Sequence, residues 1–324
     1  MTTEPDLDPA AARIRGRLAP SPTGGLHLGH ARTFLVAWLA ARSAGGTIVL
    51  RIEDLDRTRV RPDVIPGILE DLRWLGLHWN EGPDVGGPHA PYLQSARESL
   101  YRGAIEHLRR LELVYPCTCT RAEIARAASA PHPGEEGAPY PGTCAGRSAE
   151  EADSLGGKPY AWRFRVSDEP VVWDDAILGP VSMNPTASGD FIVGRSDGLI
   201  SYQLAVVVDD AAMRINQVIR GDDLLPSTPR QILLYRALGR DLPRFGHVPL
   251  TFGRDGRRLA KRDASIKLTT LRQRGVSPES LVGRVIRSCG WSDSDFPSVP
   301  IDWIGHAPLD ALFGRTWMVE DEFA

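Results

Sequence analysis

Two histidines separated by Leu28 and Gly29 stand where a Pro- and Gly-rich turn gives way to an Ala-rich apolar run: Arg17-Leu-Ala-Pro-Ser-Pro-Thr-Gly-Gly-Leu-His27-Leu28-Gly29-His30. The turn predicts a loop between a strand and a helix. A helix N-terminus offers unpaired N–H groups and the positive end of the helix dipole, which suits a polyphosphate. Two imidazoles there can donate hydrogen bonds to oxygens that gain charge as an α-phosphate is attacked. Gly29 would let the backbone approach adenine and ribose closely. A second pattern lies far downstream, where Arg258-Leu259-Ala260-Lys261-Arg262 follows Gly253-Arg254-Asp255-Gly256. A glycine-flanked loop carrying a lysine can neutralise charge on the β- and γ-phosphates in the transition state. Singly, the two patterns read as capping or core histidines and as a solvated basic loop. Together they fit the two halves of a split nucleotide site.

A third constellation is Arg51-Ile52-Glu53-Asp54-Leu55-Asp56-Arg57-Thr58, directly after the apolar run at residues 47–50. Ligands of α/β sheets bind at the carboxyl ends of strands. A carboxylate there can pair with an ammonium, and arginines can grip carboxylates bidentately. Solvated surface charge is the plain alternative. Three of the four cysteines cluster, with Cys117 and Cys119 before and Cys144 closing the stretch SAPHPGEEGAPYPGTC. Three thiolates and one further ligand would complete a tetrahedral zinc site. His132 is the ordinary fourth ligand and Tyr140 the unusual one. Cys289, in the helical pattern VGRVIRSCG, reads as a packed thiol.

The elements that must hold these residues alternate. Residues 13–18 and 47–52 read as strands, with a helix from about His30 to Arg42 between them, which begins a parallel α/β unit. A helix over 95–113 is expected, with Ser95 and Glu98 as a capping box and Leu100, Ala104, Leu108 and Leu111 on its apolar face. Residues 115–160 are loop-rich, and 160–194 alternate like strands. The α/β order returns with SYQLAVVVDDAAM, INQVIR and a helix from Ser227 to Leu238. Ser277 and Pro278 mark the start of a helix over 278–289. One α/β unit interrupted by an insertion explains this order. The expected division is a flexible tail at 1–12, a Rossmann-like catalytic domain at 13–113 and 186–265, a zinc-binding insertion at 114–185, and a short helical segment at 266–324.

The chain has 324 residues, 42% of them hydrophobic, with a net charge of −3. That supports a sizeable core and excludes a disordered chain or a generally basic nucleic-acid coat. RNA contact must come from local patches, of which Arg254, Arg257, Arg258, Lys261 and Arg262 form the densest. No apolar run approaches the length of a membrane span, and the acidic N-terminus lacks a signal-peptide core. The expected state is a cytoplasmic monomer without membrane contact.

With these motifs in place, the chain resembles the class I aminoacyl-tRNA synthetases. His27-Leu28-Gly29-His30 is similar to the family's HIGH signature and Arg258-Leu259-Ala260-Lys261-Arg262 to its KMSKS signature. The second departs at Arg258 and Ala260 but keeps Lys261. The resemblance implies that His27, His30 and Lys261 act on ATP, with Mg²⁺, and that Pro20, Thr23, Gly24, Gly29, Arg258, Leu259, Ala260 and Arg262 help to hold it. The run Arg51–Thr58 and Val218-Ile219-Arg220-Gly221-Asp222-Asp223 look like the glutamate-specific branch. This implies an L-glutamate pocket of Arg17, Ala19, Ser21, Glu53, Tyr202 and Arg220. Glu53 and Tyr202 would hold the α-amino group, and Arg17 and Arg220 the two carboxylates. The spacing of Cys117, Cys119, Tyr140 and Cys144 is similar to that of the glutamyl-Q tRNA(Asp) synthetases, which implies Tyr140 as the fourth Zn²⁺ ligand in a structural site. Tyr202–Asp210 and Leu224–Gln231 resemble the same group, as does a chain ending shortly after the Lys261 loop without an anticodon-binding half. The implied reaction is glutamate activation without tRNA, then transfer to queuosine in the anticodon of tRNA(Asp). A minimal synthetase charging the tRNA 3′ end, another H-x-G-H nucleotidyl transferase and a non-catalytic RNA-binding paralogue are the alternatives. Retention of His27, His30, Glu53, Arg220 and Lys261 argues against the last.

Overall fold

The computed structural model describes residues 13–127, 139–187, 189–253, 256, 259 and 267–319. Its elements in chain order are β1 (Arg15–Leu18), α1 (Leu28–Ser43), β2 (Thr47–Leu50), α2 (Ile65–Trp74), α3 (Glu98–Arg110), β3 (Val114–Cys117), α4 (Arg121–Ala127) and β4 (Ala161–Phe164). Then follow β5 (Val171–Asp175), β6 (Gly179–Met183), β7 (Phe191–Gly194), α5 (Tyr202–Ala212), β8 (Gln217–Gly221), α6 (Thr228–Ala237), β9 (Arg244–Val248) and β10 (Thr251–Phe252). The last are α7 (Leu268–Gln273), α8 (Pro278–Ser288) and β11 (Trp317–Met318).

The central sheet has the order β2-β1-β8-β9, and each neighbouring pair is parallel. The units β1-α1-β2 and β8-α6-β9 spread in opposite directions from the β1/β8 pair. That is a topological switch point, where open α/β sheets leave a crevice beyond the strand carboxyl ends. The strands are apolar on both faces, as a sheet covered on two sides requires. Ile48, Leu50 and Ile219 pack with α1, α2, α7 and α8, while Val49 and Val218 pack with α3, α5 and α6. The alternation follows from the two-residue period of a strand.

Three sequence expectations need amendment. The helix expected over 95–113 begins at Glu98, and its N-cap Arg97 makes no side-chain cap. Ser95 instead donates its backbone N–H and its hydroxyl to Asp54 at 2.8 and 2.6 Å. Glu98 pairs with Arg102 one turn on. The buried face of α3 is Tyr101, Ile105 and Leu108, whereas Leu100 and Leu111 are exposed. The second amendment concerns β7, which pairs antiparallel with β4, itself antiparallel to β3. The antiparallel layer therefore runs past residue 185. Third, the hairpin β5-β6 reaches back to the central sheet, with Ala176 donating to the carbonyl of Phe245 at 2.8 Å.

The C-terminal segment is tied to the first helix. Arg32 of α1 is fully buried and donates to the carbonyls of Pro249 (2.6 Å), Ser288 (3.2 Å) and Arg315. Strand β11 pairs with β10, just upstream of the second basic pattern. On the far side of that pattern, Lys267 bridges to His27, and Leu268 donates to the carbonyl of Leu26 at 2.9 Å. The chain thus returns to the first motif after the second. No helix among the described residues is long and apolar enough to cross a membrane.

Candidate active site and metal centre

His27 is the N-cap of α1, in extended backbone, and its Nδ1 accepts the Gly29 backbone N–H at 3.1 Å. His30, at the third helical position, accepts the His27 backbone N–H on its own Nδ1 at 3.2 Å. The two imidazoles thereby form a capping box usually made by Ser/Thr and Glu/Gln. An Nδ1 that accepts leaves the ring proton of a neutral imidazole on Nε2. Both rings therefore carry an Nε2–H donor, and their centroids lie 3.8 Å apart with the ring planes tilted by 36°. A Cβ at Gly29 would meet the His27 ring at 3.1–3.2 Å, so glycine here keeps the imidazole in place as well as clearing the backbone.

Both histidines line a cavity of about 1650 Å³ that also exposes Arg17, Ala19, Pro20, Ser21, Gly29, Glu53, Tyr202, Arg220 and Leu259. These come from β1, the loop after it, the start of α1, the segment after β2, the start of α5, β8 and, for Leu259, the chain after β10. Thr23 and Gly24 are not part of this lining; Thr23 turns back to the carbonyl of Ser21 at 2.8 Å. Arg258, Ala260, Lys261 and Arg262, with Arg254 and Arg257, lie outside the described residues, as does His132.

The part of the cavity lined by Arg17 and Glu53 is backed by a buried charge network. Arg51 is fully buried and pairs with Asp210 at 2.6 Å, Glu53 at 3.0 Å and Asp209 at 3.7 Å. Asp209 also binds Arg97 at 2.6 Å and accepts from Tyr101. Arg17 lies 3.6 Å from Asp210 and donates to the carbonyl of Ile219 at 3.3 Å. Burial raises the Glu53 pKa above the ordinary carboxylate value, against the pull of Arg51 and Arg17. Burial and the Glu53 charge push the Tyr202 phenol up as well. A carboxylate and a phenol at one end, with Arg17 and Arg220 beside them, suit a ligand carrying one ammonium and two carboxylates.

Sequence reasoning passed over several cavity residues. Arg163 of β4 and Asp190 line the end nearest the insertion, where the Arg163 guanidinium lies 3.8 Å from the Tyr140 ring centroid. Of the partners of Arg220, His247 was also missed, while Gln231 and Thr228 fall in the Leu224–Gln231 run without having been given a role. No local spacing marks Arg163, Asp190 or His247.

The cysteines form a compact knot. The Sγ atoms of Cys117, Cys119 and Cys144 all lie within 4.8 Å of one another. Cys119 and Cys144 Sγ are 3.6 Å apart, and the Tyr140 hydroxyl is 3.4 Å from Cys117 Sγ. Tetrahedral bonds of about 2.3 Å would space ligands by roughly 3.8 Å, so the knot has the dimensions of a metal cage. Burial and the neighbouring Cys144 and Cys117 push the Cys119 thiol up to about 11. For Cys144 burial also raises the pKa, but hydrogen bonds from the Thr118 backbone, Tyr140 and Cys119 bring it down to about 7. Three thiolates this close repel, so complete ionisation calls for a cation among them.

The parallel sheet with its switch point, the paired imidazoles at a helix start and the charged crevice define a class I synthetase catalytic domain. The chain belongs to that family: the model of tRNA synthetases class I (E and Q), catalytic domain, matches residues 13–299. It is a ligase of the aminoacyl-tRNA synthetase kind. Within the family it is 54% identical over 292 residues to the Glutamyl-Q tRNA(Asp) synthetase of Symbiobacterium thermophilum, covering 89% of this chain and 90% of that protein. The Glutamyl-Q tRNA(Asp) synthetase of Nitratidesulfovibrio vulgaris is 50% identical over 296 residues, covering 90% and 91% of the two chains. A crystal structure of a glutamate tRNA ligase from Elizabethkingia meningosepticum, in complex with its amino acid, superposes with a TM-score of 0.84 at 30% identity, over 96% of this chain and 68% of that one.

Proposed function

We propose that the protein activates L-glutamate with ATP to glutamyl-adenylate and transfers the glutamyl group to queuosine in the anticodon of tRNA(Asp). The observation that carries this reading is identity of 54% and 50%, over about nine-tenths of both chains, to two Glutamyl-Q tRNA(Asp) synthetases. The charge pattern of the cavity supports the amino acid. Glu53 and Tyr202 hold the ammonium, and Arg17 and Arg220 face the two carboxylates, with Ala19 and Ser21 beside them. Pro20 and Gly29 line the nucleotide end, and Arg258, Leu259, Ala260, Lys261 and Arg262 supply the remaining contacts to ATP.

In the first step the α-carboxylate attacks the α-phosphorus of ATP in line, and pyrophosphate leaves. His27 and His30 donate from Nε2 to phosphoryl oxygens as charge develops there, and Lys261 neutralises the departing phosphates. Mg²⁺ bound to ATP would supply further neutralisation of the leaving group's charge. In the second step a queuosine ring hydroxyl attacks the activated carbonyl and AMP departs. Both steps need positioning more than a protein nucleophile. Cys117, Cys119, Cys144 and Tyr140 hold one structural Zn²⁺, a cross-link for an insertion with little core of its own. The protein acts as a cytoplasmic monomer.

The test uses labelled glutamate, ATP and Mg²⁺ with queuosine-containing tRNA(Asp), the same tRNA without queuosine, or tRNA(Glu). Label confined to the first and resistant to removal of the 3′ end is the expected result. Label on the 3′ end of tRNA(Glu) would make the protein a minimal charging enzyme instead.

A further inference from the structure

Arg220 differs from the other buried arginines of the cavity in what holds it. Its Nε donates to Nε2 of His247 at 3.2 Å, Nη1 to Oε1 of Gln231 at 2.7 Å, and Nη2 to Oγ1 of Thr228 at 2.9 Å. No carboxylate among the described residues pairs with it directly. A guanidinium has five N–H groups, so these contacts leave one on each Nη for a ligand in the cavity that Arg220 lines.

The acceptor at His247 Nε2 exists in only one tautomer of the neutral ring. Nδ1 of His247 lies 2.5 Å from Oδ2 of Asp175, and the His247 backbone N–H donates to Oδ1 of the same carboxylate at 3.1 Å. A carboxylate can only accept, so Nδ1 carries the proton and Nε2 the lone pair. The Thr228 hydroxyl, 3.0 Å from Nε2, then donates to it while accepting from Arg220. Both members of the pair are buried, His247 at 0% and Asp175 at 2% exposure, and neither lines the cavity. Burial lowers the His247 pKa despite Asp175, which keeps the ring neutral. The opposite tautomer would turn Nε2–H toward the Thr228 hydroxyl, leave the buried Arg220 Nε–H without its acceptor and set the bare Nδ1 lone pair against the Asp175 carboxylate, an arrangement that costs the desolvation of the unpaired groups.

We propose that Asp175 and His247 are a positioning pair: they fix one imidazole tautomer, and through it orient Arg220 while leaving its charge for the side-chain carboxylate of the amino acid. An acidic residue in direct contact with Arg220 would compete with that carboxylate. Placed one imidazole away, Asp175 supports the arginine without occupying it. The pair therefore sets the preference for a carboxylate over the neutral amide of glutamine. This rests on the glutamate reading above.

The experiment measures glutamate- and glutamine-dependent pyrophosphate exchange, with calorimetric glutamate binding, for wild type, His247→Leu, His247→Gln and Asp175→Asn. A glutamine side chain can present an amide oxygen where Nε2 accepts. KM for glutamate should rise about 30-fold in His247→Leu, about tenfold in Asp175→Asn and about threefold or less in His247→Gln. KM for ATP should stay within about twofold of wild type, and glutamate-over-glutamine preference should fall in the same order as KM rises. An unchanged KM for glutamate in His247→Leu and Asp175→Asn would overturn the proposal. So would a parallel rise in KM for both substrates in every variant, which is the mark of a merely structural role. If His247→Leu does not fold, Asp175→Asn against His247→Gln decides by the same criteria. A wild type that neither binds nor activates glutamate overturns the functional reading and this proposal with it; an active wild type with unaffected variants overturns this proposal alone.

Discussion

Arg51 directly follows β2 and Arg220 lies near the end of β8; both are almost completely buried, but of the two only Arg220 lines the cavity. Arg51 is surrounded by Asp209, Asp210 and Glu53, so its charge is spent inside the protein. Arg220 is held by an imidazole, an amide and a hydroxyl, all neutral. The same residue type is thus a structural tie in one place and a binding group in the other. What separates them is the charge of the acceptors and not depth, because a buried cation met only by neutral acceptors retains its attraction for an anion.

The contrast is open to direct attack. Replacing Arg51 by Leu leaves three carboxylates facing one another in the interior and should cost about 3–5 kcal/mol in urea unfolding. Replacing Arg220 by Leu should cost less in unfolding but lower kcat/KM for glutamate by about a thousandfold, since one partner of a buried charge pair is lost. If both variants lose stability equally and keep their kinetics, the division of roles is wrong. The knot comes next in size. On the proposed zinc site, Cys144→Ser should lower the zinc content of the purified protein relative to wild type, measured by atomic absorption, and lower the melting temperature by several degrees.

A smaller effect concerns Glu53, whose carboxyl is raised by burial. Only its ionised form pairs with an ammonium, so KM for glutamate should climb as pH falls through that raised value. Glu53→Gln should show a high KM and no such climb. The smallest effect lies at Asp71, where burial lifts the carboxyl to about 6 against the pull of Thr269 and Arg272. Its folded-state pKa is above the ordinary aspartate value of 3.8, so its contribution to stability is complete below that value and fades as pH rises to about 6. Asp71→Asn should flatten the stability profile across that window in urea titrations at stepped pH.

Much of the site was legible because its pieces are contiguous. The His27–His30 pattern, the Arg51–Asp54 run and the cysteine spacing each lie on one stretch of chain, and a stretch can be read for the element that carries it. The helix α3 was misjudged because Ser95 and Glu98 have capping-box spacing, while Ser95 is drawn off by Asp54, forty-one residues away. The support of Arg220 was invisible for a related reason. Asp175 of β5, His247 of β9 and the α6 pair Thr228 and Gln231 come from three separate elements, and only the sheet order β8-β9 with the β5-β6 hairpin brings them together. Tertiary contacts of this sort leave no period and no spacing in the sequence.

Arg32 carries a consequence for how the protein is made. Its guanidinium joins the helix that begins at His27 to carbonyls 217, 256 and 283 residues later. A ribosome adds residues in order at about 5–20 per second. During most of that interval the guanidinium of the nascent helix lacks the acceptors that will bury it, and a buried cation without them is unfavourable. The histidine-bearing helix therefore gains the last of these three acceptors only after residue 315 has been added, so the first motif to be synthesised depends on one of the last segments to be made.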